Sequence, residues 1–183
     1  MTLNLFRSQL MRCALGVGVL AGGVALAIPN DAPAISVQYW RTNYNLRFSG
    51  NDVLSAGVQL HLDSGAARGR IAGLDAQHTL KEDKITGVVG GQHTNLKVNK
   101  EGDTLKAEGG FLGKRVELRY SPTELHAYMT GCTYDLKYVE GVYEGKRSCD
   151  SSLAPPARVT VPNALSERTP SEQALLLLLA LWE

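Results

Sequence analysis

The stretch RVELRYSPTELHAYMTGCTYDLKY, from Arg115 to Tyr138, alternates apolar and polar residues between short turn signals. Alternation with a period of two places successive side chains on opposite faces of a β-strand. Turn signals at such short and regular intervals are typical of antiparallel hairpins, because parallel strands need long crossover connections. The stretch therefore predicts consecutive strands of an antiparallel meander.

The same pattern extends from Lys84 to Arg147. A two-residue turn at Gly90-Gly91 pairs Ile85 with Leu96, and the later turns keep the apolar residues on one shared face. The opposite face is predicted to be solvated because it is rich in charge. Its residues are Lys97, Lys106, Glu108, Arg115, Glu117, Arg119, His126, Asp135 and Lys137.

Three further turns set the register of the meander. The turn at Leu112-Gly113 places Ala107 against Leu118. A longer loop at 99–103 sets Val98 opposite Leu105, and a turn at Gly131-Cys132 sets Ala127 against Leu136. These pairings all keep apolar residues together on one face.

The two cysteines within and next to the meander, Cys132 and Cys149, support this pairing scheme independently. If Tyr138 faces Tyr143 in the last hairpin, Cys132 falls opposite Cys149. Directly opposed residues of an antiparallel pair lie about 4.5–5.5 Å apart at Cα, which suits a disulfide bond. We therefore predict a disulfide between Cys132 and Cys149.

The chain upstream adds further strands. The segment 35–48 changes phase, which predicts a bulge near Tyr39–Arg41. A strand is expected at 53–63, and weaker strands are expected at 67–74 and 77–80. The predicted fold is all-β, an antiparallel meander of about ten short strands forming a strongly curved sheet or a closed barrel. A short C-terminal apolar helix would pack on or in it.

The first 27 residues have the features of a secretory signal peptide. Arg7 and Arg12 precede an uncharged run that ends in the small-residue motif Ala25-Leu26-Ala27, and this run is too short to span a bilayer. Residues 28–150 would then form the β domain of an exported protein, either periplasmic or secreted. A cysteine pair in an exported chain favours a disulfide over a metal site.

The C-terminal region divides into two parts. Residues 151–169 are rich in Ser and Pro and are predicted to be a linker, and residues 170–183 are predicted to be a Leu-rich helix. The capping-box sequence at Thr169–Glu172 marks the beginning of this helix. Because the helix is apolar all round and only about 15 Å long over its apolar part, it must be buried rather than span a bilayer.

Three locations could bury the helix: the protein's own core, a partner protein or a membrane surface. If the helix docks on a partner, its contact residues would be Leu175, Leu178, Leu179 and Trp182. The sequence leaves these alternatives open.

The composition limits the possible functions. The chain has 183 residues, 44% apolar and 20% charged, with a formal net charge of +1, which suits one globular domain. Without Arg7 and Arg12, 17 basic residues remain against 18 acidic ones, and the net charge is about −1. Nucleic acid is therefore not an expected partner. Neither the histidines nor the cysteines have metal-ligand spacing, and no nucleophile motif occurs. We therefore predict no metal, no cofactor and no catalytic residue.

The sequence thus predicts an exported non-catalytic β protein of the cell envelope or extracellular space. Its role would be binding or structural, through contact with another envelope or secreted protein. The alternative is a small β-barrel carrier of an apolar ligand. Membrane association, including an outer-membrane barrel, is less favoured because spanning strands need about 9–11 residues.

Overall fold

The computed structural model describes residues 28–40, 42–150 and 152–182. The predicted signal peptide, residues 1–27, lies outside the described residues. Within them the protein is all-β with one C-terminal α-helix, as the sequence predicts.

Fourteen strands form a single sheet. They are β1 (Ala34–Tyr39), β2 (Thr42–Ser49), β3 (Asp52–Leu54), β4 (Val58–Asp63), β5 (Ala66–Ile71), β6 (Leu74–Lys81), β7 (Lys84–Val89), β8 (Gln92–Glu101), β9 (Thr104–Phe111), β10 (Lys114–Tyr120), β11 (Glu124–Met129), β12 (Cys132–Val139), β13 (Val142–Cys149) and β14 (Ser152–Thr160). Each strand pairs antiparallel with its neighbours in the chain, and β14 pairs with β1, so the meander closes into a barrel. Closure leaves the sheet without free outer strands.

Two of the predicted turns differ from the structure by two residues of register. Glu101 pairs with Thr104, which places Val98 opposite Ala107 rather than Leu105. Met129 pairs with Cys132, so the turn is Thr130-Gly131 and Ala127 faces Tyr134 rather than Leu136. Thr130 takes the positive φ of 51° that a tight hairpin turn requires. Because side chains alternate with a period of two, both errors left the inward face unchanged.

The remaining predicted pairs are present. Ile85 faces Leu96, Ala107 faces Leu118, and Tyr138 faces Tyr143.

The strand count is higher than predicted for three reasons. The predicted strand 53–63 is two paired strands, β3 and β4. The segment 35–48 is not one bulged strand but the hairpin of β1 and β2, in which Tyr39 pairs with Thr42. The predicted linker 151–169 contains β14, which pairs with both β13 and β1. A register shift between Gly145 and Arg147 accommodates the consecutive prolines of β14, because proline has no N–H for the ladder.

Glycines in the wall permit close approach between strands. A Cβ atom at Gly109, whose φ is +135°, would overlap the carbonyl oxygen of Asn95 on β8. A Cβ at Gly145 would overlap the carbonyl oxygen of Asp135 on β12 in the same way. Such glycines allow a sheet to bend tightly, as closing a barrel requires.

The apolar face of the sheet points into the barrel. Inward residues on every part of the wall are buried, as shown by Leu46, Leu60, Leu96, Leu118 and Leu136, each at most 3% exposed. The outward positions between them carry polar and charged side chains, as the alternation predicts.

The interior of the barrel holds helix α1 (Pro170–Trp182), which packs against β1, β2 and β6–β9. A short 3-10 helix at Asn163–Leu165 connects β14 to it. Every residue from Ala174 to Leu181 is buried, on all sides of the helix. This location explains why α1 has no polar face, because no side of a helix inside an apolar wall contacts water.

Candidate functional site

The helix residues predicted as a docking surface lie inside the barrel. Leu175, Leu178 and Leu179 are at most 1% exposed, and Trp182 is half-buried against the core. A partner protein could contact the three leucines only if α1 left the barrel. Of the three locations proposed for the helix, the structure therefore shows the protein's own core.

Polar contacts fix the first turn of α1 at one end of the barrel, which we call the capping end. The Thr169 amide donates to the Glu172 carboxylate at 3.1 Å, and the Glu172 amide donates to the Thr169 hydroxyl at 3.3 Å, as a capping box requires. The Ser171 hydroxyl donates to the carbonyl oxygens of Lys81 and Glu82. These bonds satisfy amide groups at the beginning of the helix and attach it to the β6–β7 turn.

Aromatic contacts hold the other end of α1. Trp182 meets Phe111 edge to face, with ring centroids 5.7 Å apart. Phe111 also stacks on His78 at 6.3 Å. Because turns of a meander alternate between the two ends, Phe111 lies at the same end as the Thr130-Gly131 turn. We call this the disulfide end.

His78 is a fully buried polar residue in this apolar interior. Its Nε2 lies 3.3 Å from the Thr94 hydroxyl, and its Nδ1 has no hydrogen-bond partner within the described residues. Its ring covers Gly87, where an added Cβ would come too close to it. Burial lowers the pKa of His78 from 6.5 to about 4, because the charged imidazolium loses its hydration there.

Two other histidines point outward, as their position in the alternation predicts. His61 lies 2.7 Å from Asp52 and His126 lies 2.6 Å from Asp135, and both pairs are on the solvated face. Within the described part of the chain, no three His, Cys, Asp or Glu side chains come together as a metal site. These histidines therefore have the contacts of ordinary surface ion pairs.

The predicted disulfide is present. Cys132 and Cys149 are directly opposed on β12 and β13, with Cα atoms 4.0 Å apart and their sulfurs bonded. The two sulfur-bearing residues differ in exposure, because Cys132 is fully buried whereas Cys149 is half-buried.

Arg147 lies beside this disulfide. Its guanidinium packs over the ring of Tyr39 at 4.5 Å and over the ring of Tyr134 at 5.5 Å. Its Nε donates to the Tyr134 hydroxyl at 3.3 Å, and its Nη2 donates to Cys132 Sγ at 3.6 Å. None of the ion pairs among the described residues includes Arg147. Sequence reasoning missed this cluster, although Arg147 has the same inward parity as Tyr143 and Gly145.

The outer wall over β12–β14 carries a groove of about 870 Å³. The exposed Val139 and Pro156 and the half-buried Gly145 form its apolar part, and Ala157, whose side chain is buried in the core, also borders it. Val139 is 48% exposed, and its neighbour Tyr138 is 49% exposed. Charged side chains surround these apolar groups; they are Asp135, Lys137, Glu144, Lys146 and Arg158. The sequence did not predict the groove, because the register shift that shapes it depends on how β14 closes the barrel.

Within the described residues, no helix has both the length and the hydropathy needed to cross a bilayer. Comparison with known proteins gives no relative: no family model matches the chain, and neither a curated protein nor a solved structure shows significant similarity to it.

Proposed function

We propose that this is an exported, non-catalytic protein that binds another envelope or secreted protein through its outer wall. A disulfide in a chain that begins with a signal-like segment supports export, because disulfides persist in oxidising compartments. Nucleic acid is not the proposed partner, since the outer wall mixes charges of both signs.

The position of α1 is the observation that supports this proposal best. The helix occupies the apolar interior, the place where a barrel protein would hold a small ligand. Five grooves on the outer wall of the described residues are instead lined by wall residues around charged positions. Contact with a partner would therefore use the outside of the barrel.

The groove over β12–β14 is the contact surface we propose. Its apolar part, with Val139 exposed beside it, would provide the water-excluding centre of an interface. Around it Glu144 and Arg158 form an ion pair at 3.3 Å, and Asp135 lies opposite Lys146. Because both signs of charge surround an apolar centre, the expected partner is a folded protein surface of similar mixed character.

Site-specific photocrosslinking in cells would test this surface. A photoreactive amino acid at Val139 should give one discrete adduct, and one at Thr79 on β6, far around the wall, should give none. The same adduct should disappear when Val139 carries the crosslinker and Pro156, an exposed residue of the same groove, is replaced by a bulky charged residue. Equal crosslinking at both positions, or no adduct at Val139, would contradict the proposal.

The alternative function, carriage of an apolar ligand, is favoured by the closed barrel with its apolar inner face. It requires α1 to leave the interior, because the helix fills the space that a ligand would occupy. An apolar fluorescent probe should bind the full-length protein stoichiometrically, and without loss of folded structure, if this alternative is correct. Absence of saturable binding would exclude it.

A further inference from the structure

The cation beside the disulfide suggests a chemical role for this bond. We propose that Cys132–Cys149 is a thiol–disulfide exchange site, in which a small thiol attacks Cys149 and Arg147 stabilises the departing Cys132 thiolate. This inference is independent of the partner proposed above.

The difference in exposure decides which sulfur is attacked. Cys149 is half-buried at the disulfide end, whereas Cys132 is fully buried, at 7% exposed, so Cys149 is the more accessible of the two. A thiolate must reach a sulfur along an accessible path, so an incoming thiol meets Cys149 first. Cys132 is then the leaving group.

The position of Arg147 favours departure of that sulfur. Its Nη2 lies 3.6 Å from Cys132 Sγ, and the rings of Tyr39 and Tyr134 hold the guanidinium in place. The intact disulfide is neutral and only a weak hydrogen-bond acceptor, so the cation gains little from it. A thiolate at the same position would gain a charge-assisted hydrogen bond, and thiols beside arginine ionise more readily.

The charge of Arg147 is available for this role. Within the described residues no carboxylate forms an ion pair with it, whereas Arg158 on the neighbouring strand is paired with Glu144 at 3.3 Å. Arg147 is half-buried, so solvent screens it less than a fully exposed cation.

The exchange step balances as follows. The thiolate of a small thiol such as glutathione attacks Cys149 Sγ, the Cys132–Cys149 bond breaks, and a mixed disulfide forms at Cys149 while Cys132 leaves as a thiolate. A second thiolate attacks the small-molecule sulfur of this mixed disulfide and releases the oxidised small thiol and Cys149. Two electrons pass from two small thiols to the protein, and one proton is bound by Cys149.

Measurement of the Cys132 thiol pKa in the reduced full-length protein tests the proposal. Alkylation of Cys132 and of Cys149, each followed by mass spectrometry across a pH series, should give a pKa for Cys132 at least about one unit below the ordinary 8.5. In glutathione buffers at about pH 9.5, where the thiols of both proteins are largely ionised, Arg147→Met should shift the equilibrium toward the disulfide by about tenfold, the factor that one pKa unit represents. Arg147→Lys should retain part of the effect because it keeps the charge.

Arg70→Met is the matched control, since it removes an exposed cation from β5 without touching the disulfide or the groove. It should leave both the Cys132 pKa and the glutathione equilibrium unchanged. An ordinary or raised Cys132 pKa in the unmodified protein would overturn the proposal, and this measurement decides it even if Arg147→Met does not fold. An equilibrium that Arg147→Met leaves unchanged would overturn it equally.

Discussion

Phe111 and Trp182 meet edge to face at 5.7 Å, where the last turn of α1 reaches the inner wall at the disulfide end. The other face of Phe111 stacks on His78. This contact joins the wall and the helix at the end opposite the capping box. The helix is thus fixed at both ends, by hydrogen bonds at Thr169 and by aromatic packing at Trp182.

Truncation of Phe111 should destabilise the protein strongly. Phe111 is fully buried, so Phe111→Ala removes its contacts with His78 and Trp182 and leaves a cavity. We expect a loss of about 3–5 kcal/mol in the free energy of unfolding, measured by urea denaturation. Trp40→Phe is the control, because Trp40 is 76% exposed, and it should change stability by less than about 0.5 kcal/mol. Equal effects of the two substitutions would contradict the packing described here.

Removal of the helix should prevent folding of the barrel. A chain ending at residue 170 lacks every buried side chain from Ala174 to Leu181 and leaves the apolar inner wall in contact with water. We expect the truncated protein to aggregate or to bind an apolar dye, with loss of the cooperative unfolding transition. A truncated protein that stays folded and monomeric would show that the wall does not need α1.

The sequence predicted the antiparallel wall well because one physical rule decides it, but it left open whether the sheet curves strongly or closes. Alternation with a period of two identifies the inward face of every strand, and a register error of two residues at Thr130-Gly131 left that face intact. The location of α1 could not be derived in the same way. A helix that is apolar all round must be buried, but its sequence does not indicate what covers it.

His78 should make stability depend on pH. Its pKa is 6.5 when exposed and about 4 when buried in the folded protein, so between these values the unfolded chain binds a proton that the folded protein does not. The free energy of unfolding therefore falls as the pH falls from 6.5 to 4, by up to about 3 kcal/mol. His78→Gln should lose this contribution, and His126→Gln on the outer wall should retain it. Identical pH profiles for the two variants would argue against the effect of burial.

Adjacent glycines on β9 offer a matched pair of substitutions. A Cβ at Gly109 overlaps the Asn95 carbonyl oxygen, whereas a Cβ at Gly110 has no heavy atom within 4 Å. Gly109→Ala should therefore lower the free energy of unfolding by at least about 2 kcal/mol, because both φ and the strand spacing must change. This loss should be seen as a lower melting temperature. Gly110→Ala should have little effect. If both variants melt alike, the close approach of β8 and β9 at Gly109 is not required.

The disulfide should contribute measurably to stability. Its closed loop has a sequence separation of 17, for which loop entropy in the unfolded chain predicts about 3 kcal/mol. Replacement of Cys132 and Cys149 together by serine should lower the free energy of unfolding by about this amount under oxidising conditions. In the presence of excess reductant, the difference between the variant and the unmodified protein should disappear. A difference that persists under reduction would point to packing of the sulfurs instead.

The candidate site was less accessible to sequence reasoning than the wall. His78 lies between Ala76 and Leu80 in the inward row, which marks it as buried. The alternation does not show, however, that its Nδ1 has no hydrogen-bond partner among the described residues. The predicted pairing of β12 with β13 already places Arg147 opposite Tyr134 and near Cys132, but a pattern of alternation does not show which atoms a long side chain contacts.

The order of elements along the chain has a consequence for biosynthesis. All fourteen strands precede α1 in the chain. During synthesis, the apolar residues of the strands are therefore made before the helix that covers them. We expect the nascent chain to complete its barrel only after residues 170–182 become available. Such a delay would be compatible with the export that we propose, in which the chain crosses a membrane before it folds.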